Sequence, residues 1–140
     1  MADSFLIEIA TPERLLASEQ AVRAQIPGKE GYLGVLPDHA PLLSELGIGA
    51  LTYATADGNR YAMAIKQGYV EILDNHVRVL TDQAERGQEI DAAQAEKDLR
   101  EAQAAYVNPA LAMDIAAWLI AAKHAQARID AARKAAAGED

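Results

Sequence analysis

The placement of glycine constrains what this chain can fold into more than any motif does. Eight of its nine glycines fall at or before Gly87, and none occurs again until Gly138. Between those two positions alanine is the commonest residue. Alanine favours helix because ordering it loses no side-chain entropy, whereas a glycine in a helix interior costs about 1 kcal/mol relative to it. The boundary near Arg86-Gly87 separates a half that avoids helix from a half suited to it.

Ahead of the boundary, apolar and polar residues alternate: Phe5, Ile7, Ile9; Val22, Ala24, Ile26; Tyr61, Met63, Ile65; Val70, Ile72; Val77, Val79. A period of two marks half-buried strands, whose side chains point alternately to opposite faces. Turn chemistry is expected at Pro27-Gly28, Gly47 to Gly49, Asp57-Gly58-Asn59 and Asp74-Asn75. Short strands with regular turns predict a β-sandwich, or flattened barrel, over residues 1–87, able to fold by itself with Gly87 as a hinge. An antiparallel α-helical hairpin is predicted over 88–140.

Asp91 is the expected cap of the first helix, with Gln94 three residues later as its capping-box partner. The helix carries the apolar stripe Ala92, Ala95, Leu99, Ala102, Tyr106. Asn108-Pro109 is the expected start of the second, whose stripe is Leu111, Ile115, Trp118, Ala122, Ala125, Ile129. Tyr106 meeting Leu111 at the turn pairs Ala102 with Ile115, Leu99 with Trp118, Ala95 with Ala122 and Ala92 with Ala125. Only Leu99 with Trp118 is a large contact. At about 25 cal/mol per Å² the alanine pairs contribute little, so the hairpin is expected to be marginal and able to open. Residues 89–105 carry two bases and five acids, net −3, while 109–137 carry four bases and two acids, net +2. The two helices should attract.

The whole chain has 13 basic against 21 acidic residues, net −8. That sign is wrong for coating nucleic acid or an anionic lipid surface. With no cysteine it forms neither disulfides nor thiolate metal sites. No apolar run reaches the eighteen or so residues of a membrane span, and the N-terminus lacks a basic region followed by a long apolar stretch, so a soluble, unprocessed chain is expected. In Gly34 to Leu43, GVLPDHAPLL, Asp38 and His39 stand between Pro37 and Pro41. No serine or third group at a recognisable spacing completes a triad, so a shaped contact loop is favoured over acid–base chemistry. His76 follows a turn and is read as exposed, His124 as an ordinary helix-face residue. Histidines so dispersed make no metal site. A free-standing sandwich that binds sugar or peptide lacks an aromatic platform, since the one tryptophan is on a helix.

The run IPGKEGYLGVLPDHAPLLSELGIGAL (Ile26 to Leu51), then KQGYVEILDNHVRVLTDQAERGQEID (Lys66 to Asp91), then the alanine-rich hairpin, resembles the epsilon subunit of bacterial F-type ATP synthase. The resemblance implies a small non-catalytic rotor subunit of the central stalk. It is peripheral on the cytoplasmic face of the inner membrane and reaches that membrane only through the complex. Its sandwich binds the gamma subunit and the c-subunit ring, with Gly31, Tyr32, Asp38 and His39 as contact residues. Its hairpin, closed by Leu99 and Trp118, extends in the family along gamma toward the alpha and beta subunits and restrains ATP hydrolysis. Lys123, Arg128, Arg133 and Lys134 would then meet acidic loops of the catalytic subunits.

Some members of the family bind ATP through Ile or Leu, Asp, two variable residues, Arg and Ala at the head of the first helix. This chain has Ile90-Asp91-Ala92-Ala93-Gln94-Ala95 there, and Glu101 where binders carry another base. A neutral amide replaces the phosphate-binding cation and an acid repels the triphosphate. Glu85, Asp91 and Arg128 fall near contributing positions, yet weak binding or none is expected, and no cofactor.

Overall fold

The computed structural model describes residues 1–107 and 115–137. Seven strands, β1 (Phe5–Ala10), β2 (Leu15–Ala21), β3 (Arg23–Gly28), β4 (Gly31–Val35), β5 (Leu42–Ala54), β6 (Arg60–Leu73) and β7 (His76–Arg86), hydrogen-bond in the order β2-β1-β7-β6-β5-β3-β4. Neighbours are antiparallel except β1 and β7, which run parallel. The alternating residues named above point inward: Phe5, Ile7, Ile9, Ile26, Ile65, Val70, Ile72, Val77 and Val79 are all essentially inaccessible. They belong to one cluster that takes side chains from every strand. The hydrogen-bonded sheet therefore closes over itself as the two layers of a β-sandwich.

Two turn assignments differ from expectation. Gly47 to Gly49 lies inside β5. These glycines serve close approach rather than reversal: a Cβ on Gly49 would stand 2.6 Å from the Tyr32 hydroxyl and 2.8 Å from Pro27 Cβ. β3 continues through Pro27-Gly28, and the reversal falls on Lys29-Glu30. The Asp74-Asn75 turn is present, both residues having positive φ (50° and 59°). Tyr61–Ile65 and Val70–Ile72, read as separate runs, are one strand kinked where Gln67 and Gly68 take φ of 61° and 120°. The Thr81 hydroxyl of β7 donates to the Gln67 carbonyl across that kink at 2.7 Å.

A single 3-10 turn, Gly87–Glu89, leads to α1 (Ala92–Val107), followed by α2 (Ile115–Ala137). The Asp91 carboxylate accepts from the Gln94 N–H at 3.1 Å, which makes Asp91 the N-cap. Helix α2 lies across the outer face of β5 and β6, and α1 packs on α2. Small residues on that outer face, Ala50, Ala62 and Ala64, are buried together with Ala127, Ile129 and Ala131 of α2 and Ala95 of α1. The hairpin is closed against the sandwich.

The predicted seam is only partly made. Ala95, Ala102, Ala125 and Ile129 are buried, and Leu99 and Trp118 half-buried. Ala92 is exposed and Ile115 is 72% exposed, so the pairs Ala92–Ala125 and Ala102–Ile115 do not form. An ion pair of 3.5 Å joins Asp98 to Arg128. In the predicted register these positions are nine residues, roughly 13 Å, out of step along the helix axis. The helices are slid accordingly, and α2 turns a second row, Ala127 and Ala131, onto the sheet. Asn108-Pro109, Leu111 and the side chain of Tyr106 lie outside the described residues.

Candidate functional site

The four predicted contact residues fall in two groups. Gly31 and Tyr32 open β4 and border a shallow hollow with Leu43, Ser44 and Glu45 of β5. Tyr32 is 56% exposed, yet its hydroxyl accepts from the Ala50 N–H at 3.1 Å. A Cβ on Gly49 would meet that same hydroxyl, so Tyr32 holds β4 to β5 as well as presenting a surface. Asp38 and His39 sit in the loop between β4 and β5. Asp38 has φ of 64°, and its backbone N–H donates to Asn75 Oδ1 at 2.6 Å. Asn75 Nδ2 donates back to Asp38 Oδ1 at 3.0 Å, while the Ala2 N–H reaches Oδ2 at 3.1 Å. Asp38 is therefore a clamp between this loop, the β6–β7 turn and the N-terminal segment. His39 donates from Nδ1 to the Ala40 carbonyl at 2.7 Å. With the two side chains engaged apart, no acid–base dyad exists, and the rigid loop presents Leu36, 63% exposed, beside His39.

A second surface was not legible in the sequence. Tyr69 of β6 pairs with Leu80 of β7, and Leu80 with Ala10 of β1, on the outward face beyond the hairpin. These residues, with Leu119, Ile120 and Lys123 of α2, line a trough of about 730 Å³. Tyr69 and Leu80 are more than half exposed. The trough crosses from sheet to helix and mixes these apolar side chains with Lys29, Glu45, Gln67 and Asp82. Its only sequence signal is an apolar residue at outward positions of two adjacent strands, which requires the register to be known.

The third group is the latch of the hairpin. Arg128 of α2 reaches Glu85 of β7 with Nη2 donating to Oε2 at 3.1 Å, while Nε lies 2.9 Å from Oε1 but off the axis of a hydrogen bond. The same guanidinium contacts Asp98 of α1, and Asp98 accepts from Gln94 Nε2 at 2.8 Å. The structure thus brings together Glu85, Gln94 and Arg128, with Asp91 capping the helix and Ile90 buried beneath it. The link between them is Asp98, which the sequence reading passed over. Gln94 turns to Asp98 rather than back to Asp91, so only half of the capping box forms. His124, one turn before Arg128, is half-buried; burial, and after it the neighbouring charge of Lys66 on β6, hold its pKa below the ordinary value. His76 is not free on the surface, because it pairs with Glu8 across β1 and β7. Lys123 and Arg133 are exposed, and Lys134 is half-buried.

Residues 4–87 match the family model described as the ATP synthase delta/epsilon chain β-sandwich domain. This chain belongs to the ATP synthase epsilon-chain family. The epsilon chain of Solibacter usitatus is 48% identical over 134 residues, covering 96% of this chain and 99% of that one. The epsilon chain of Koribacter versatilis is 45% identical over 103 residues, 74% and 72% of the respective chains. In fold, the chain is similar to one in a Euglena gracilis mitochondrial ATP synthase structure, with a TM-score of 0.78 and 23% identity over 95% of this chain and 83% of that one. As an epsilon chain it is a non-catalytic stalk subunit, in keeping with a loop whose Asp38 and His39 are spent on structure. No described helix is long and apolar enough to cross a membrane.

Proposed function

We propose that this epsilon chain is the rotor component that couples the c-subunit ring to the gamma subunit on the cytoplasmic face of the bacterial inner membrane, where it is held only through the complex. The trough of Tyr69, Leu80, Leu119 and Ile120 is the observation that carries the reading, because it offers gamma a large seat on one face of the sandwich with exposed apolar contacts and a charged rim. The loop from Leu36 to His39 and the start of β4 at Gly31-Tyr32 meet the ring. Their rigidity comes from the Asp38–Asn75 clamp, and a torque-bearing contact needs such rigidity.

The hairpin is a switch whose closed form is held by Arg128 and by thin alanine packing. On opening, Lys123, Arg128, Arg133 and Lys134 become available to acidic loops of the alpha and beta subunits, and hydrolysis is restrained. ATP is not needed as a regulatory ligand. Arg128, the cation a triphosphate would use, is already satisfied by Glu85 and Asp98. Contact is tested with His39→Asp and Leu36→Asp, which spare the Tyr32 and Asp38 supports. Proton-driven ATP synthesis in reconstituted membranes should fall while the isolated variants melt normally. Unchanged coupling rejects this edge as the ring contact.

A further inference from the structure

A cavity of about 310 Å³ lies among the edge strand β2, the ends of β5, β6 and β7, and the last turn of α2, and it shares no residue with the trough or with the Arg128 latch. Leu16, Ala62 and Met63, all nearly inaccessible, form its apolar part. Tyr53 and Tyr61 stack beside them with ring centroids 4.9 Å apart, and the Tyr53 hydroxyl donates to Glu19, which engages that carboxylate. Arg86 is held in the cavity without being fully used. Its Nη2 donates to the Leu16 carbonyl at 2.7 Å, which fixes the guanidinium across from β7 to β2, while Nη1 reaches only the half-exposed Glu89, at 3.4 Å. These contacts occupy two of its five N–H donors. The lining sets Arg60 and Arg86 against Glu19, net +1, in a chain of net −8. The trough, with Lys29 and Lys123 against Glu45 and Asp82, is neutral, and the hollow beside Tyr32, with Lys29 against Glu30 and Glu45, is net −1.

We propose that this cavity binds a small aromatic carboxylate, with its ring against Met63 and the tyrosines and its carboxylate on Arg86 in place of the weak contact with Glu89. The volume stands at the lower end of the range of about 300–1,000 Å³ that small ligands occupy. A ring suits the lining because tyrosine, the methionine sulfur and guanidinium each attract an aromatic system. A carboxylate suits Arg86 because the planar fork forms short, charge-assisted hydrogen bonds that a neutral ligand does not match. Gln88 of the 3-10 turn and Ala135 of α2 line the hairpin side, so the ligand touches both halves of the chain. It binds the closed form more tightly than the open one, and by reciprocity its binding favours closure. The site stands on this geometry alone. That closure frees ATP hydrolysis rests on the function proposed above, and the two are measured apart.

The chain has three methionines, so the methyl resonance of Met63, assigned by its loss in Met63→Leu, reports the cavity in the isolated full chain. Benzoate should move that resonance saturably, with a midpoint at or below about 1 mM, whereas benzyl alcohol, which keeps the ring, and inorganic phosphate, which keeps the charge, should each need at least about tenfold more. Arg86→Gln should weaken benzoate about tenfold, to the level of benzyl alcohol. Glu89→Gln, which removes the competing carboxylate and leaves the Leu16 anchor in place, should tighten benzoate about threefold, and it decides the matter where Arg86→Gln fails to fold. A Met63 resonance unmoved by benzoate, an equal response to benzyl alcohol or to phosphate, or a benzoate affinity unchanged in Glu89→Gln overturns the proposal. In the assembled enzyme, benzoate should raise ATP hydrolysis with the native chain and not with Arg86→Gln. Binding without that difference leaves the site standing and rejects its link to restraint.

Discussion

Replacing Gly87 by alanine should open the hairpin without harming the sandwich. Gly87 begins the 3-10 turn between β7 and α1, and it is buried. A Cβ there would run into the Ala131 carbonyl oxygen and come 2.7 Å from Ala135 Cβ, both on α2. Alanine adopts the backbone of such a turn readily, so the clash is the only cost, and the loss of unfolded-state freedom contributes about 0.4–1 kcal/mol in favour of the folded chain. Overpacking of this kind costs about 1–3 kcal/mol. Because the atoms hit belong to α2, the cost falls on the closing equilibrium, a shift of roughly 5- to 150-fold toward open. Trp118, the one tryptophan, is half-buried on α2 and reports closure through its fluorescence, while far-ultraviolet strand signal reports the sandwich. The expected result is a red-shifted Trp118 emission with an unchanged melt of strand signal. An unshifted emission refutes the claim that close approach at Gly87 governs closure.

Asp38→Ala removes the clamp to Asn75 and Ala2 and places alanine at φ of 64°, so the sandwich should lose about 2–3 kcal/mol and melt at least several degrees lower. Asp38→Gly, which keeps the backbone relaxed, should recover part of the loss. Arg128→Gln breaks the latch to Glu85 and Asp98. Since both acids are more than one-third exposed, the shift toward open should be only about 1 kcal/mol, read by the same Trp118 emission. Calorimetry of the isolated subunit with ATP should show weak binding or none. Gln94→Arg combined with Glu101→Arg should raise the affinity, and submicromolar binding by the native chain would refute the reading of the latch.

The inward rows of the sandwich were legible because Phe5, Ile7, Ile9, Val77 and Val79 alternate locally, and one buried face fixes strand phase. The glycines of β5 misled because a glycine needed for close approach to Pro27 and Tyr32 looks the same in sequence as one needed for a turn. The hairpin register failed for a related reason. Alanine seams fit several registers almost equally, and the sheet selected the one in which Ala127 and Ala131 also find cover. The small outward residues Ala50, Ala62 and Ala64 were the available signal that a helix lies on that face. Asp38 was read as a contact residue, and its clamp to Asn75 and Ala2 was not legible because those partners are remote in sequence.

The sandwich couples and the hairpin restrains, and this division of labour underlies every prediction above. It is tested most directly by returning either the full chain or residues 1–87 to ATP synthase membranes depleted of their epsilon chain, and measuring proton-driven ATP synthesis and ATP hydrolysis on each. Both forms should restore synthesis, because the trough's sheet residues and the Leu36–His39 loop lie within the sandwich, and only the full chain should lower hydrolysis. Synthesis restored by neither form, or hydrolysis lowered equally by both, would contradict it.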